Sequence, residues 1–152
     1  LPLLIADSEV TIASLNGLKQ VPLMDIFEKR IKLNSGDLIV NAAIDSHFLS
    51  LPYVHSKRTK SDKIDYPLIT LAALKDNNRI NIAFSGVCSY PFRSLLIEDY
   101  LNDTSLPDNI RVDNAINSIP DLVLNDLTGS AEYRKFMLQK MLMEVLSKLE
   151  GK

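Results

Sequence analysis

The sequence predicts an α+β fold, and three observations carry that reading. β-forming stretches broken by turn signals run from Glu9 to Asp45, a second hairpin signature spans "YPLITLAAL" and "RINIAFSGV", and beyond Phe92 apolar residues recur at helical spacing. Strands followed by helices imply an antiparallel sheet with helices collected on one side, rather than a parallel sheet with interleaved crossovers.

Taken in order, "EVTIAS" from Glu9 alternates, Asn16–Gly17 is a short hairpin signal, and "KQVPL" is the returning strand. "MDIFEKR" carries an apolar pair at turn or helical spacing, and "LNSGDLIVNAAI" offers a glycine turn followed by a further apolar strand. In "DSHFLSLPYVHSK" polar residues and Pro52 interrupt the periodicity, so this stretch reads as a connector. The second hairpin turns at "KDNN", with Asp76 and Asn77 the turn-prone residues. A helix is then expected in "PFRSLLIEDYLN", starting at Pro91 and packing through Phe92, Leu95, Leu96 and Tyr100. Another follows Pro107 with Val112, Ala115, Ile116 and Ile119 on one face. The last helix has Ser130 as N-cap, Glu132 in its first turn, and an apolar stripe of Leu138, Leu142, Val145 and Leu149. The expected division is residues 1–45, a connector over 46–65, and residues 66–152.

Composition narrows the function. The 152 residues are 46% hydrophobic and 24% charged with a net charge of −2, enough for a sizeable core and too near neutral for a field that steers nucleic acid or membrane. The single cysteine, Cys88, and two histidines, His47 and His55, make neither a disulfide nor a cysteine-rich metal site, so a reducing, cytoplasmic setting is expected. The apolar opening "LPLLIA" is too short to span a bilayer and lacks a basic flank. A chain that enters directly on such a segment, with leucine first, reads as part of a longer protein.

Catalytic constellations are missing. Gly17, Gly36, Gly86, Gly129 and Gly151 are too scattered for a phosphate-cradling loop, and neither histidine has a nucleophile and carboxylate at triad-like placement. Cys88, at the end of an apolar strand, reads as an inert buried thiol, and Met137, Met141 and Met143 read as helix core. No catalytic residue and no metal ligand is expected. What remains is the basic run Lys57, Arg58, Lys60 and Lys63. It has two readings: solvated protection of a sheet edge, or an ammonium that reaches a phosphate held mainly elsewhere. Asp62 and Asp65 and the lack of interleaved aromatics argue against a nucleic-acid track.

The segments "KRTKSDKIDYPLITLAALKDNNRINIAFSGVCSYPFR", "DLTGSAEYRKFMLQKML" and "DSEVTIASLNGLKQVPLMDIF", the last followed by "SGDLIV", bear on that choice. In order and over nearly the whole chain they resemble the flavoprotein subunit of molybdenum hydroxylases, the relatives of xanthine dehydrogenase and carbon monoxide dehydrogenase. The markers are Asp-Tyr-Pro after the basic stretch, Pro-x-Arg at Pro91 and Arg93, and Ser-Ala-Glu-Tyr-Arg from Ser130. The resemblance implies that residues 1–45 are the tail of an FAD-binding domain, built of antiparallel strands. It implies that residues 66–152 are a C-terminal domain with a three-stranded antiparallel sheet and a small helical bundle. It places the glycine-rich FAD loops ahead of Leu1, and leaves here only secondary FAD contacts: Lys57 near the cofactor, Tyr66 toward the flavin ring, and the Leu38 backbone. Ser61 and Asp62 depart from the family, many of whose members have arginines there. The implied partners are a molybdenum-cofactor subunit and an iron-sulfur subunit, with electrons passing through FAD to NAD or another acceptor. By itself the chain is expected to be inactive and colourless. The alternative is a subunit-docking domain with no ligand role.

Overall fold

A computed structural model describes residues 1–59 and 67–151. It holds two antiparallel sheets. The first has order β2-β1-β3, from β1 (Glu9–Ser14), β2 (Gly17–Pro22) and β3 (Leu38–Ala43), preceded by the one-turn helix α1 (Pro2–Ile5) and interrupted by α2 (Leu23–Ile26). The second has order β4-β5-β6-β7, from β4 (Tyr53–Thr59), β5 (Pro67–Asp76), β6 (Arg79–Ser85) and the two-residue β7 (Phe92–Arg93). Helices α3 (Leu95–Asn102), α4 (Asp108–Asn117) and α5 (Ala131–Glu150) complete the chain.

The two hairpin turns show how side chains choose backbone. The β5–β6 loop is Asn77–Asn78, both at positive φ (45° and 65°), as a two-residue turn matching strand twist requires, and Asp76 pairs with Arg79 across it. The turn thus sits one residue later than the sequence suggests. At the other hairpin the tip is Leu15–Asn16, and Gly17 takes φ +105° opposite Ser14.

The second sheet is covered on both faces, which is why β5 and β6 read as nearly unbroken apolar runs rather than as alternating strands. Ile69, Leu71, Ala73, Ile80, Ile82 and Phe84 pack beneath the three helices in the main core, together with Leu101, Val112, Leu138, Leu142 and Val145. Ala72, Leu74 and Ala83 face the other way and form a second core with Leu4, Ile5, Val10, Ile12 and Leu23. The small side chains at Ala72 and Ala83 let α1 lie close against the sheet.

Two expectations are corrected here. Part of the stretch read as a connector is the strand β4, whose alternation is masked because its outward residues are tyrosine, histidine and lysine while Val54 alone is fully buried. The helix expected from Pro91 starts later: Phe92–Arg93 pairs with β6, Ser94 is the N-cap accepting from the Ile97 amide, and the inward residues are Ile97, Glu98 and Leu101. Leu95 and Leu96 are exposed. A buried glutamate hides the true face from a hydrophobic count. Helix α5 matches its expected face, with Ser130 accepting from the Tyr133 amide, while α4 buries Val112 and Ala115 as expected, adds a buried Arg111, and ends at Asn117 before Ile119.

Candidate cofactor-facing surface

β4 divides the basic run between two environments. Neighbouring strand residues point to opposite faces, so Arg58, opposite Ile69, lies on the helix side and donates to Glu144 on α5 at 2.8 Å. Lys57, opposite Thr70, lies on the other face, is exposed, and has no ion pair or side-chain hydrogen bond among the described residues. Lys60 and Lys63 lie outside the described residues, as does Tyr66.

Sheet register adds partners that sequence spacing conceals. Thr70 pairs with Lys57 on one side and with Ser85 on the other, so the row Lys57–Thr70–Ser85 crosses three strands on one face. Directly paired residues have Cβ atoms about 5 Å apart. An ammonium and two half-buried hydroxyls therefore form a line of donors, next to the row His55–Ala72–Ala83 whose alanines belong to the second core. Such a row suits an anionic ligand edge. The only signal for Thr70 and Ser85 in the sequence is their parity within β5 and β6, which becomes meaningful once the pairing is known.

Leu38 begins β3, opposite Ala13, with its side chain 68% exposed. It belongs to the first sheet and Lys57 to the second. The other singled-out residues behave as structural ones. Cys88 is buried, its thiol pKa is pushed up by burial, and its Sγ lies 3.7 Å from the Asp121 carbonyl. His47 Nε2 lies 2.9 Å from Asp76 Oδ1, and His55 lines an apolar groove of about 380 Å3 formed with Ile5, Phe48, Leu51 and Ala72. Met141 is buried, whereas Met143 is partly exposed. Among the described residues no cluster of three or more metal-ligating side chains occurs, and no helix is long and apolar enough to cross a membrane.

The arginines of the two sequence motifs turn out to be internal braces. Arg134 is buried and donates to the carbonyls of Leu68 and Gly86 at 2.5 and 2.7 Å, to both oxygens of Asp126, and to Thr128. The Thr128 hydroxyl and amide, with Arg134, hold the Asp126 carboxyl down to about 2. Arg93 joins Glu98 and Asp7; burial opposes its charge, but those two carboxylates outweigh the burial and raise the guanidinium pKa.

Those observations allow a test of fit for FAD. An exposed lysine with no side-chain partner among the described residues, in line with two hydroxyls, fits one wall of an anionic cofactor's site. Among the described residues no glycine loop cradles a phosphate beside it: a Cβ on Gly86 would strike the Leu68 carbonyl oxygen at 2.4 Å, so that glycine serves chain packing, and Gly17 and Gly36 open onto empty space.

The family model of the CO dehydrogenase flavoprotein C-terminal domain matches residues 54–149. A carbon monoxide dehydrogenase from Hydrogenophaga pseudoflava that lacks the Mo-pyranopterin moiety of its molybdenum cofactor is similar in structure, with a TM-score of 0.78 and 19% identity. The match covers 99% of this chain and 55% of that one. Quinoline 2-oxidoreductase from Pseudomonas putida 86 gives 0.75 at 18% identity, covering 99% and 55%. Reconstituted CO dehydrogenase from Oligotropha carboxidovorans gives 0.70 at 18% identity, covering 99% and 56%. The chain thus spans little more than half the length of the solved chains it matches. A search of curated proteins finds no match. At these identities the solved structures establish the shared fold, while the match over residues 54–149 establishes descent: the chain belongs to the CO dehydrogenase flavoprotein C-terminal domain family, the C-terminal portion of the molybdenum hydroxylase flavoprotein subunit.

Proposed function

We propose that this chain supplies one wall of the FAD site in the flavoprotein subunit of a molybdenum hydroxylase. In this reading residues 1–45 close the FAD-binding domain and residues 66–152 form the C-terminal domain, joined through 46–65, of which Tyr53–Thr59 is a strand of the second sheet. FAD, when bound, supplies the electron relay between iron-sulfur clusters of a partner subunit and NAD or another acceptor. Lys57 neutralises cofactor charge, Thr70 and Ser85 extend the donor row, Tyr66 approaches the ring, and the Leu38 backbone contacts it from the other lobe. The substrate is oxidised in a molybdenum-cofactor subunit, and the assembly works in the cytoplasm.

The carrying observation is the contrast between neighbours: Arg58 is held by Glu144, whereas Lys57 is left exposed with no partner among the described residues. A solvated edge lysine contributes at most about half a kcal/mol to stability. A charge-assisted contact to a cofactor is worth about 1.5 to 3 kcal/mol, tenfold or more in affinity. In the intact subunit Lys57→Ala should therefore raise the FAD dissociation constant at least tenfold with an unchanged melting temperature, and Lys60→Ala should change neither. Equal flavin retention in parent and both variants would return the basic run to edge protection. One observation favours an added docking role: Tyr133, Phe136 and Met143 are exposed along one stripe of α5, as a partner subunit's surface would need. A docking role alone predicts unaltered flavin retention in Lys57→Ala.

A further inference from the structure

We propose that Arg93 is a positioning residue that locks the lobe carrying Leu38 onto the sheet carrying Lys57, and so fixes the spacing of the two walls that face the flavin. The flavin part of this inference rests on the function proposed above; the lock itself rests on geometry.

The side chain of Arg93 is 5% exposed and that of Glu98 is not exposed at all. The guanidinium grips Glu98 with two nitrogens, Nε to Oε1 at 2.7 Å and Nη2 to Oε2 at 3.3 Å, while the same Oε1 accepts the Ile82 amide at 2.9 Å. One nitrogen remains. Nη1 crosses to the other lobe, donating to the Leu4 carbonyl at 2.6 Å and to Asp7 Oδ1 at 2.5 Å. Asn81 makes a parallel crossing from β6 to the Ile5 carbonyl at 3.0 Å.

These contacts fall where α1 needs them. A four-residue helix has no stability of its own, and its final carbonyls lack intrahelical partners. Here Leu4 and Ile5 obtain theirs from the second sheet. Asp7 then turns the chain toward β1 at φ +44°, a left-handed conformation unusual for a residue with a side chain. Its carboxylate is the point at which that turn is fastened to Arg93. A planar fork can serve Glu98 and the opposite lobe together, which a single ammonium cannot. A further polar tie, Lys29 to Asp121, lies at the surface, with side chains 61% and 31% exposed, and can contribute little to the register of the lobes.

Arg93→Ala strands Glu98 in the core and risks general unfolding, so the decisive variant is Asp7→Asn. Asp7 is more than half exposed, and asparagine keeps both its shape and its tolerance of the left-handed turn. In the intact subunit, hydrogen exchange at the amides of Leu4 to Ile12 should accelerate about tenfold in Asp7→Asn and further in Arg93→Lys, while β6 and α5 amides stay as slow as in the parent. The FAD dissociation constant should rise severalfold in step. Unchanged exchange at Leu4 to Ile12, or faster exchange with flavin retention untouched, overturns the proposal. The Lys57→Ala subunit separates that from failure of the functional reading: it loses flavin without changing exchange if the reading holds, and keeps flavin if the reading fails.

Discussion

Arg134 offers the sharpest test of what holds the C-terminal layers together. Its Nη1 is the hydrogen-bond donor to two main-chain carbonyls, Leu68 at 2.5 Å near the start of β5 and Gly86 at 2.7 Å just beyond β6. Replacing it with methionine keeps most of the aliphatic volume and removes the donors, which isolates the polar contribution. Each buried carbonyl left without a donor costs about 1 to 3 kcal/mol. Three circumstances lower the total. Arg134 Nε is itself buried without a partner, so its removal recovers some desolvation cost. Asp126 is substantially exposed and rehydrates when released. Thr128 retains the Asp126 oxygen as a partner. The expected loss is about 3 kcal/mol, roughly a hundredfold in the folding equilibrium. Urea unfolding followed by circular dichroism should show the midpoint falling by about 1.5 M at an unchanged slope of about 2 kcal/mol per M. A fall smaller than about 0.3 M would mean that Arg134 is a neutral occupant, and the view of the motif arginine as a brace would be refuted.

Two further outcomes follow from the same corner of the molecule. Gly86→Ala combines a φ of +79° with a Cβ only 2.4 Å from the Leu68 carbonyl oxygen, so it should destabilise by more than about 2 kcal/mol in the same urea assay, whereas Gly36→Ala, with open space around it, should lose only the cost of its backbone conformation. Asp126, held at about 2 against an ordinary 3.8, contributes stability that is complete above pH 4 and is lost as pH falls toward 2; melting temperatures of Asp126→Asn and parent should therefore converge across that window and stay apart above it.

Much of the fold was legible because its elements announce themselves locally. Ser130 followed by an apolar stripe marks α5, and turn residues between β-forming runs mark both hairpins. The misreadings occurred where tertiary context replaced local rules. Glu98 occupies an inward position of α3 because Arg93 and the Ile82 amide wait for it there, and no hydrophobic periodicity records that exchange. Tyr53, His55 and Lys57 point outward from β4 although the strand lies beside a buried neighbour, so a true strand looks like a connector.

The candidate site divides along the same line. The basic run could be seen in the sequence, but its four charges looked equivalent, and only strand parity separates Arg58, committed to Glu144, from Lys57, which is exposed on the opposite face. Thr70 and Ser85 lie 13 and 28 positions beyond Lys57 in the chain, and only sheet register makes them its neighbours. The motif arginines show the converse. Pro-x-Arg and Ser-Ala-Glu-Tyr-Arg pointed to the family, yet Arg93 and Arg134 spend their donors on carbonyls and carboxylates of this same chain. A motif can therefore identify a flavoprotein domain through residues that need never touch the flavin: Arg134 ties the start of β5 to the segment after β6, and Arg93, with Glu98, ties α3 and β6 to α1.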